Sequence, residues 1–492
     1  MNVVTSRRSF LASTTAWVAG SALGFGKSPD HRTVSILHTT DLHGHVLPTQ
    51  AYSGKGDVGG FARCATQIRK WRKENPNSLL VDLGDLYQGT AASYHNEGRL
   101  FVDLLGNFEY DAWVLGNHDF DWGPAVLENN IRSARIPILT ANLTGAPEKV
   151  IPWKMAESGG FRIALIGLIT PGLPYWLTPE TLGGILLTET VPALKKSIAQ
   201  AKSAKADAIV VLGHFGHRKE DDFANPLRET LARAPGVDAF IAGHTHVHLP
   251  SLQIGETLFT QANYFGINCG KLDLTFDLNS RKLVSKTAAT EYMDGRIELD
   301  PGVINLSQPE LKTAEEQLAR KLTTLGAPIK GGGRGSPLAR FLCETFSSAL
   351  KRNGTPVDAV FHGTFGTPEI PAGPVTVAGA WEVLPYENTF ITASLTPAQL
   401  LEILAEDRRS HSDRILWPFE VVWEKRTPVK ILENGSGLDP GKQITVAFNS
   451  YDSQSGGRSL MRLRELISLP SSNRKPVDLN SRDALIEGLL NL

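Results

Sequence analysis

The sequence predicts a layered α/β fold that is divided into two domains. At 492 residues the chain is too long for one ordinary hydrophobic core, so two large domains are expected. Between about residues 33 and 291, short apolar runs of strand type alternate with helical stretches such as 61–72 and 191–205. This alternation is typical of an α/β layered domain. A second region of α/β character extends over 336–492.

Five apolar runs in the first region each end close to a residue that can bind a metal. The runs are 35–37, 79–83, 113–115, 209–212 and 240–242. The carboxylate, amide and imidazole groups that follow them belong to Asp41, His43, Asp85, Asn117, His214, His244 and His246. In layered α/β folds the loops after the carboxyl ends of neighbouring strands meet in one crevice. Seven such ligands exceed the need of one ion, so the pattern predicts a site for two divalent cations.

The ligand types narrow the choice of metal. Mixed imidazole, carboxylate and amide ligands suit Zn, Mn, Fe or Co, whereas Ca²⁺ prefers oxygen ligands alone. A purely structural role for all seven is disfavoured, because buried polar groups without a partner are costly. Glycine stands directly before four of them, where a turn from strand to loop needs unusual backbone angles or close approach. These four are Asp85, Asn117, His214 and His244.

The first 26 residues have the pattern of a twin-arginine signal peptide. Residues 6–11 read Ser-Arg-Arg-Ser-Phe-Leu, and the apolar stretch 12–25 that follows is too short to span a bilayer. The pattern predicts passage through the twin-arginine export machinery to the periplasm or the outside of the cell. It also predicts a mature start near Lys27 and no stable membrane anchor. The alternative is a basic, apolar tail that contains two arginines by chance.

Charge and cysteine content argue against two other classes of protein. The formal net charge is −1, so a nucleic-acid partner has little electrostatic support. The three cysteines, Cys64, Cys269 and Cys343, are widely spaced and odd in number. They therefore predict neither a disulfide framework nor a zinc ribbon.

A connecting segment is expected between the two regions. The spacing of its apolar residues predicts a helix over 308–325. The Gly-rich run 330–335 is interpreted as a flexible joint, because it lacks the lysine that a phosphate-binding P-loop requires. The predicted units are 1–26 for the signal, 27–297 for the first domain, 298–335 for the linker helix and joint, and 336–492 for the second domain.

With these blocks in order, the chain resembles the calcineurin-like metallophosphoesterases, in particular the secreted 5′-nucleotidase family. The blocks that carry the resemblance are Asp41-Leu42-His43, Gly84-Asp85, Gly116-Asn117-His118-Asp119, Gly213-His214 and Gly243-His244-Thr245-His246. In the second region it continues through 358–361, 371–376 and 383–388. The resemblance implies a four-layer β-sandwich flanked by helices, followed by an α/β substrate-recognition domain.

The resemblance also implies how the seven ligands are shared between two metals. One metal would be held by Asp41, His43, Asp85 and His246. The other would be held by Asp85, Asn117, His214 and His244. Asp85 would then bridge the two ions.

His118 is the candidate catalytic residue. It follows the ligand Asn117, so it should lie over the same site without binding a metal. It would stabilise the transferring phosphoryl group or protonate the leaving oxygen, and a carboxylate would orient it. Asp119 and Asp121 are both close enough in sequence to do so, and the family pattern favours Asp121. The alternative for His118 is a structural histidine.

The second region departs from the family pattern in two places. The family usually has Asn-Gly-Gly-Ile-Arg, with an arginine that binds phosphate, where residues 362–367 read His-Gly-Thr-Phe-Gly-Thr. It has Gly-Gly-Asp-Gly-Phe, with a ring that stacks on the base, where 456–460 end in Leu460. Candidate replacements in the substrate pocket are Arg408, Arg409, Arg414, Trp417, Phe419 and Tyr451. Packing or surface exposure is the alternative for each.

These observations predict an exported dinuclear-metal phosphoesterase. It would hydrolyse nucleoside 5′-phosphates to nucleoside and phosphate by in-line attack of hydroxide held by the metals. One alternative keeps the chemistry but acts on other phosphomonoesters, cyclic nucleotides or sulfur-oxyanion conjugates. Another is an exported binding protein that has lost catalysis. The missing ring and arginine predict poor discrimination among AMP, GMP, CMP and UMP, and turnover of non-nucleotide phosphomonoesters at comparable kcat/KM. Leu460→Phe is expected to improve turnover of nucleotides selectively, because a new stacking face helps only substrates that carry a base.

Overall fold

The computed structural model of the protein describes residues 30–364, 368–410 and 413–492. The predicted signal peptide, residues 1–26, lies outside the described residues. So do Gly366 and Thr367, at the place where the family resemblance expects the phosphate-binding arginine.

Two mixed β-sheets form the centre of the first domain. The first sheet has seven strands, in the spatial order Leu283–Tyr292, Asn268–Asp277, His31–Thr39, Ser78–Asp82, Ala112–Val114, Ile138–Leu139 and Val150–Ile151. The second has six, in the order His248–Ile254, Thr257–Ala262, Ala239–Ala242, Ala208–His214, Phe161–Ile169 and Trp153–Ser158. Apolar side chains such as Ile36 and Val81 from the first sheet and Val210 and Ile241 from the second pack between them. This layer is the inner core of the domain.

Helices cover the outer faces of both sheets. Those on the seven-stranded sheet are Phe61–Glu74, Arg99–Asn107 and Gly123–Ser133. Those on the six-stranded sheet are Thr190–Ser203 and Leu227–Arg233. Shorter elements of this domain are Ala91–Tyr94, His118–Phe120, Leu143–Thr144, Leu173–Tyr175, Pro179–Leu182 and Leu186–Leu187. The predicted four-layer β-sandwich flanked by helices is therefore confirmed.

Parallel pairing aligns the strand ends that carry the candidate ligands. Strand His31–Thr39 runs parallel to Ser78–Asp82, which runs parallel to Ala112–Val114. In the other sheet, Ala208–His214 runs parallel to Ala239–Ala242. Because parallel strands end at the same edge of a sheet, the loops after them converge.

The connecting helix differs from the one that the sequence predicts. It occupies Pro301–Leu318, so it starts before residue 308 and ends before residue 325. Asp300 caps its first turn, where the side chain accepts a hydrogen bond from the amide of Val303 at 3.0 Å. The segment Lys321–Leu325 is a strand instead, paired with Gly373–Thr376 of the second domain. Pairing with a distant strand thus overrides the helical spacing.

The Gly-rich run contacts the second domain through Arg334 and through the short strand before it. The guanidinium of Arg334 donates to the Asp407 carboxylate and to the carbonyl of Arg414, each at 2.6 Å. The short strand Ile329–Lys330 just before it pairs with Glu369–Ile370. These contacts fix the run to the second domain.

The second domain has a five-stranded sheet at its centre. Its spatial order is Ile415–Trp417, Ala359–His362, Ile444–Asn449, Phe390–Leu395 and Lys475–Val477. One face packs against Pro337–Arg352 and Ser481–Leu490, and the other against Pro397–Asp407 and Met461–Ile467. A small antiparallel sheet and short helices complete it: Glu420–Glu424, Thr427–Glu433, Ser436–Gly437, Val377–Val383, Arg408–Ser410, Ser450–Ser453 and Pro470–Ser472. Within the described ranges, none of the helices has the length and apolar character needed to cross a membrane.

Candidate metal centre

The predicted ligands meet in two groups at the converging strand ends. One group is Asp41, His43, Asp85 and His246, and the other is Asp85, His214 and His244. Within each group, one ligand atom from every residue lies within 4.8 Å of the others. Asn117 joins the second group, since its Oδ1 lies 3.2 Å from Nε2 of His214. The structure therefore brings all seven together, with Asp85 shared between the groups.

Five of these ligands are held on left-handed backbone. Their φ angles are 49° for Asp41, 46° for His43, 50° for Asp85, 73° for His244 and 54° for His246. Such a conformation costs a residue other than glycine about 1–3 kcal/mol, and it persists only where the surrounding structure enforces it. Conformations of this kind cluster at functional sites.

Two glycines let the ligand loops approach one another closely. A Cβ atom on Gly116 would lie 2.2 Å from both the amide nitrogen and Oδ1 of Asp85. A Cβ atom on Gly84 would lie 2.4 Å from the amide nitrogen of Gly116. Close backbone approach is therefore the reason for glycine before Asp85 and Asn117.

Backbone carbonyls fix the orientation of two ligand imidazoles. Nδ1 of His43 donates to the carbonyl of Gln88 at 2.9 Å, and Nδ1 of His214 donates to the carbonyl of Leu83 at 2.6 Å. Each ring then directs Nε2 toward Asp85, at 3.7 Å from His43 and 3.1 Å from His214. A metal-binding histidine normally holds its other nitrogen in this way.

His246 has a different outer partner. Its Nε2 lies 3.4 Å from Oδ1 of Asp41, and its Nδ1 lies 3.4 Å from the hydroxyl of Tyr52. Tyr52 is 68% exposed and stacks on Tyr264, with ring centroids 4.3 Å apart. The backbone amide of Tyr52 also donates to the Tyr264 hydroxyl at 3.0 Å. His246 is thus supported by a side chain at the surface.

The protonation states of His43, His244 and Asp85 suit metal binding, whereas His214 must give up a proton to bind a cation. Burial lowers the pKa of His43 and of His244 to about 3, which keeps both rings neutral. Burial opposes a charge on His214 as well, but the Asp85 carboxylate raises its pKa to about 9. Burial alone would raise the pKa of Asp85. His214 and other nearby histidines outweigh the effect of burial and hold the pKa of Asp85 well below its usual range. Ionised carboxylates, an amide and imidazoles fit two divalent first-row cations.

His118 lies beside the cluster and is paired with Asp121. Its Nδ1 is 2.6 Å from Oδ2 of Asp121, and its backbone amide donates to Oδ1 of Asp85 at 2.8 Å. Burial opposes protonation, yet the carboxylates of Asp121 and then Asp85 raise the pKa of His118 well above its usual range. The ring is thus held in a charged, oriented form.

Asp119, the other carboxylate considered for this pairing, is used differently. Its Oδ1 accepts a hydrogen bond from the amide of Leu86 at 2.9 Å, and its Oδ2 accepts one from the amide of Gly116 at 2.7 Å. Burial, and after it Asp85, raises the pKa of Asp119 to about 7. Asp119 therefore holds the two ligand loops together, and Asp121 is the partner of His118.

A cavity of about 520 Å³ opens next to the ligand cluster. Asn117, His118 and His244 form its metal end. Trp176, Tyr386 and Tyr451 form its aromatic end, which adjoins the metal end. The ring centroid of Trp176 lies 5.2 Å from that of His244, and the centroid of Tyr386 lies 5.8 Å from that of His118. Arg218 also lines the cavity. The lining comes from both domains, so the cavity is an interdomain site.

Of the residues of the second domain predicted for the substrate pocket, Tyr451 alone is part of the described cavity lining. Trp417 and Phe419 pack against the two apolar cores of that domain. Arg408 faces the ring of Trp423 at 5.8 Å, and Arg409 follows it in the exposed turn Arg408–Ser410, outside the described lining.

Arg414 and Leu460 are also placed away from the cavity. Arg414 pairs with the buried carboxylates of Asp407, at 3.1 Å, and Asp452, at 2.6 Å. Leu460 is fully buried in the core beside Leu463. The expectation that a ring at position 460 would stack on a base is therefore wrong, because the side chain points into the core.

Trp176, Tyr386 and Arg218 were not among the sequence candidates. Tyr386 lies in the segment 383–388, which carries the family resemblance, so a signal for it was present. Trp176 follows the turn Leu173–Tyr175, and Arg218 lies four residues after the ligand His214. Neither of these two is marked by a motif.

Gln88 links the metal end to the second domain. The backbone carbonyl of Gln88 accepts a hydrogen bond from Nδ1 of His43. The side-chain amide of Gln88 donates to Oε2 of Glu387 at 2.9 Å. Glu387 lines the cavity and pairs with Arg482 at 2.7 Å. Gln88 thus contacts both domains at once.

Comparison with known proteins matches both halves of the chain. Residues 34–248 match the family model for calcineurin-like phosphoesterase, and residues 323–464 match that for the 5′-nucleotidase C-terminal domain. The crystal structure of a 5′-nucleotidase precursor from Thermus thermophilus has the same fold. It superposes with a TM-score of 0.69 at 22% identity and covers 94% of this chain and 96% of that chain.

Two sequence relatives give the same picture. The snake venom 5′-nucleotidase from Naja atra is 30% identical over 301 residues, which are 55% of this chain and 55% of that protein. The 5′-nucleotidase from Rattus norvegicus is 33% identical over 279 residues, which are 50% of this chain and 46% of that protein. The chain thus spans about half the length of these relatives. It contains a calcineurin-like phosphoesterase domain followed by a 5′-nucleotidase C-terminal domain.

Proposed function

We propose that the protein is an exported metal-dependent phosphoesterase that hydrolyses nucleoside 5′-phosphates to nucleoside and inorganic phosphate. The observation that carries the proposal is the cavity itself. It joins a cluster of seven metal-binding side chains to a set of aromatic faces. Relatives named 5′-nucleotidase support the same substrate class.

The two ligand groups would hold one divalent cation each, with Asp85 between them. Two such cations lower the pKa of a shared water and neutralise negative charge that develops on phosphoryl oxygens. The identity of the metals depends on supply as well as on these ligands.

His118 would act on the leaving group. Its ring is charged and held by Asp121 at 2.6 Å, next to the ligand Asn117. A positioned imidazolium can stabilise the phosphoryl group in the transition state or donate a proton to the leaving oxygen. The hydroxyl of the nucleoside then departs as a neutral group.

The aromatic end of the cavity would hold the base. Trp176, Tyr386 and Tyr451 supply ring surfaces there, and Trp176 comes from the catalytic domain. A stacked base gains about 1–3 kcal/mol per ring, by analogy with single-stranded nucleic acids. Aromatic faces accept any base, so this arrangement favours nucleotides over other phosphomonoesters without strong choice among bases.

Export through the twin-arginine machinery is part of the proposal and depends on residues 1–26. Replacing Arg7 and Arg8 together with Lys is expected to leave the protein in the cytoplasm. Fractionation of cells that express the two forms tests this expectation. Normal export of the double variant would contradict it.

A substrate panel tests the activity. The metal-loaded protein is assayed for phosphate release from AMP, GMP, CMP, UMP, glycerol phosphate, an aryl phosphate and a cyclic nucleotide. We expect the highest kcat/KM on the four nucleotides. Chelation should abolish phosphate release, and added metal should restore it. Equal turnover of glycerol phosphate would move the proposal to phosphomonoesters in general, and release from none of them would overturn it.

A further inference from the structure

Within the described lining of the cavity, the positively charged groups are the imidazolium of His118 and the guanidinium of Arg218. Among the described residues that line it, Arg218 is the one Lys or Arg side chain. The two lining carboxylates are both paired, Asp121 with His118 and Glu387 with Arg482. The stretch 362–367, where the family resemblance expects a phosphate-binding arginine, contains none.

The backbone around Arg218 is fixed from several sides. The guanidinium of Arg228 donates to the carbonyl of Arg218 at 2.8 Å and also lies 2.8 Å from Nε2 of His217. Just before them, the amide of Gly216 donates to Oδ1 of Asn225 at 3.1 Å. The loop that starts at the ligand His214 is therefore a rigid platform, and its position relative to the ligand cluster is set.

The side chain of Arg218 is held less firmly than its backbone. Its ion pair with Asp222 spans 4.0 Å, and the side chains of the two residues are 48% and 43% exposed. Exposed ion pairs of this length contribute little to stability. Oδ1 of Asp222 is already occupied by the amides of Ala224 and Asn225, each at 2.8 Å. Turning the guanidinium toward a ligand in the cavity therefore costs little.

Three other arginines, Arg414, Arg458 and Arg482, already contact carboxylates or aromatic rings. Arg482 pairs with the buried Glu387, and Arg414 pairs with the buried Asp407 and Asp452. Arg458 lies over the rings of Tyr175 and Phe223, at 5.4 Å and 5.1 Å. Removing Arg414 or Arg482 from its carboxylate would leave a buried charge unpaired, which is costly.

We propose that Arg218 is a specificity-determining residue that binds the phosphoryl oxygens of the substrate. The inference rests on the proposed function, because it assigns a ligand to the same cavity. A planar guanidinium makes charge-assisted hydrogen bonds to two oxygens of a phosphate dianion at once. Phosphate recognition would then come from the catalytic domain, four residues after a metal ligand, instead of from the second domain.

The test uses inorganic phosphate as the probe and the full, metal-loaded chain. Dissociation constants are measured by calorimetry for the parent protein, Arg218→Gln, Arg218→Lys and Lys219→Gln. Lys219 is the matched control, since its replacement removes one positive charge at the next position of the same loop. Metal content is measured for every variant, so that a lost ion is not mistaken for a lost arginine.

Arg218→Gln is expected to weaken phosphate binding by about 10- to 100-fold, the value of hydrogen bonds to a charged group. Arg218→Lys should bind phosphate more weakly than the parent and more tightly than Arg218→Gln. The positive charge remains, but the planar group that contacts two oxygens at once is lost. The inference would be overturned if Arg218→Gln and Lys219→Gln had the same dissociation constant for phosphate. Calorimetry needs no turnover, so a loss of phosphate binding in a protein that hydrolyses no phosphoester would support Arg218 and reject the proposed function.

Discussion

The two ends of the catalytic cavity are built in different ways. At the metal end, Asp41, Asp85 and His214 are almost fully buried, and backbone groups hold the ligand loops. At the aromatic end, Tyr386 belongs to the second domain and is 41% exposed. Trp176 comes from a loop of the first domain, after the turn Leu173–Tyr175. The first end is fixed by the backbone, so most substitutions there should destroy it. The second is made of side chains on loops, so substitutions there should change preference and leave the chemistry intact.

The largest effect is expected at the shared ligand. Asp85→Asn removes the one carboxylate that belongs to both ligand groups. We expect loss of both bound metals and a fall in kcat/KM of about 10³-fold or more, which corresponds to several kcal/mol of lost charge stabilisation. Elemental analysis and turnover measure the two effects. Glu128→Gln, at an exposed ion pair on a helix, is a control of the same type. A variant with two metals and a near-normal rate would show that the bridge is misassigned.

The next effect is expected at His118. It contacts no metal in this arrangement, so His118→Asn should keep both ions while kcat falls by about 10²- to 10⁴-fold. Asp121→Asn should act in the same direction with a smaller effect, because Asn can still contact Nδ1. Single-turnover kinetics with parallel metal analysis separates chemistry from binding.

Asp119→Asn distinguishes orientation of the histidine from support of the loops. An asparagine side chain at position 119 has one acceptor oxygen, whereas the carboxylate of Asp119 has two. The backbone amide of Leu86 or Gly116 therefore loses its hydrogen-bond partner, which costs about 1–3 kcal/mol of stability. We expect a lower melting temperature and weaker metal binding, without the kinetic signature of His118→Asn. If Asp119→Asn reproduced that signature and Asp121→Asn did not, the pairing would have to be reassigned.

A smaller and selective effect is expected at the aromatic end. Trp176→Ala should raise KM for 5′-nucleotides by about 5- to 150-fold, from the loss of about 1–3 kcal/mol of stacking, and leave glycerol phosphate unchanged. Trp153→Ala, at a tryptophan that contacts Gln200 away from the cavity, is the matched control. Equal losses on both substrates would mean that Trp176 shapes the metal end and does not hold a base.

The smallest effect is expected at Tyr52. Tyr52→Phe keeps the stacking on Tyr264 and removes the hydroxyl next to Nδ1 of His246. Loss of such an outer partner weakens metal binding by about 10-fold or more, and the contact here is long, so the lower value is expected. Competition with a chelator should show one of the two ions released more readily. Identical release of both ions from variant and parent would remove Tyr52 from the metal site.

The grouping at the metal end was predictable because the candidate ligands are marked locally. Each follows closely on the end of an apolar strand, four of the seven directly after a glycine, and parallel pairing then brings the strand ends to one edge. Asp121 needed the family pattern, because spacing alone allowed Asp119 as well. The left-handed backbone of five of the ligands could not be predicted, because Asp and His adopt positive φ more readily than most residues but still only in a minority of cases.

Most of the cavity lining beyond the metal end was not predicted, because its residues meet only through tertiary structure. Trp176 and Arg218 reach the cavity on loops whose course depends on their neighbours. Leu460 was aligned with a ring, but Gly456, Gly457 and Arg458 all have positive φ, and the turn sends the next apolar side chain into the core. The helix expected over 308–325 is wrong after Leu318 for a similar reason, since Lys321–Leu325 pairs with a distant strand.

Gln88 gives the cavity a point of vulnerability that lies away from the reacting groups. Its carbonyl orients His43, while its side chain is anchored to Glu387 across the domain boundary. A small molecule that wedged between these two side chains would pull on the segment that orients His43. Such an inhibitor would act by promoting release of an ion, without resembling a nucleotide and without chelating the metal itself.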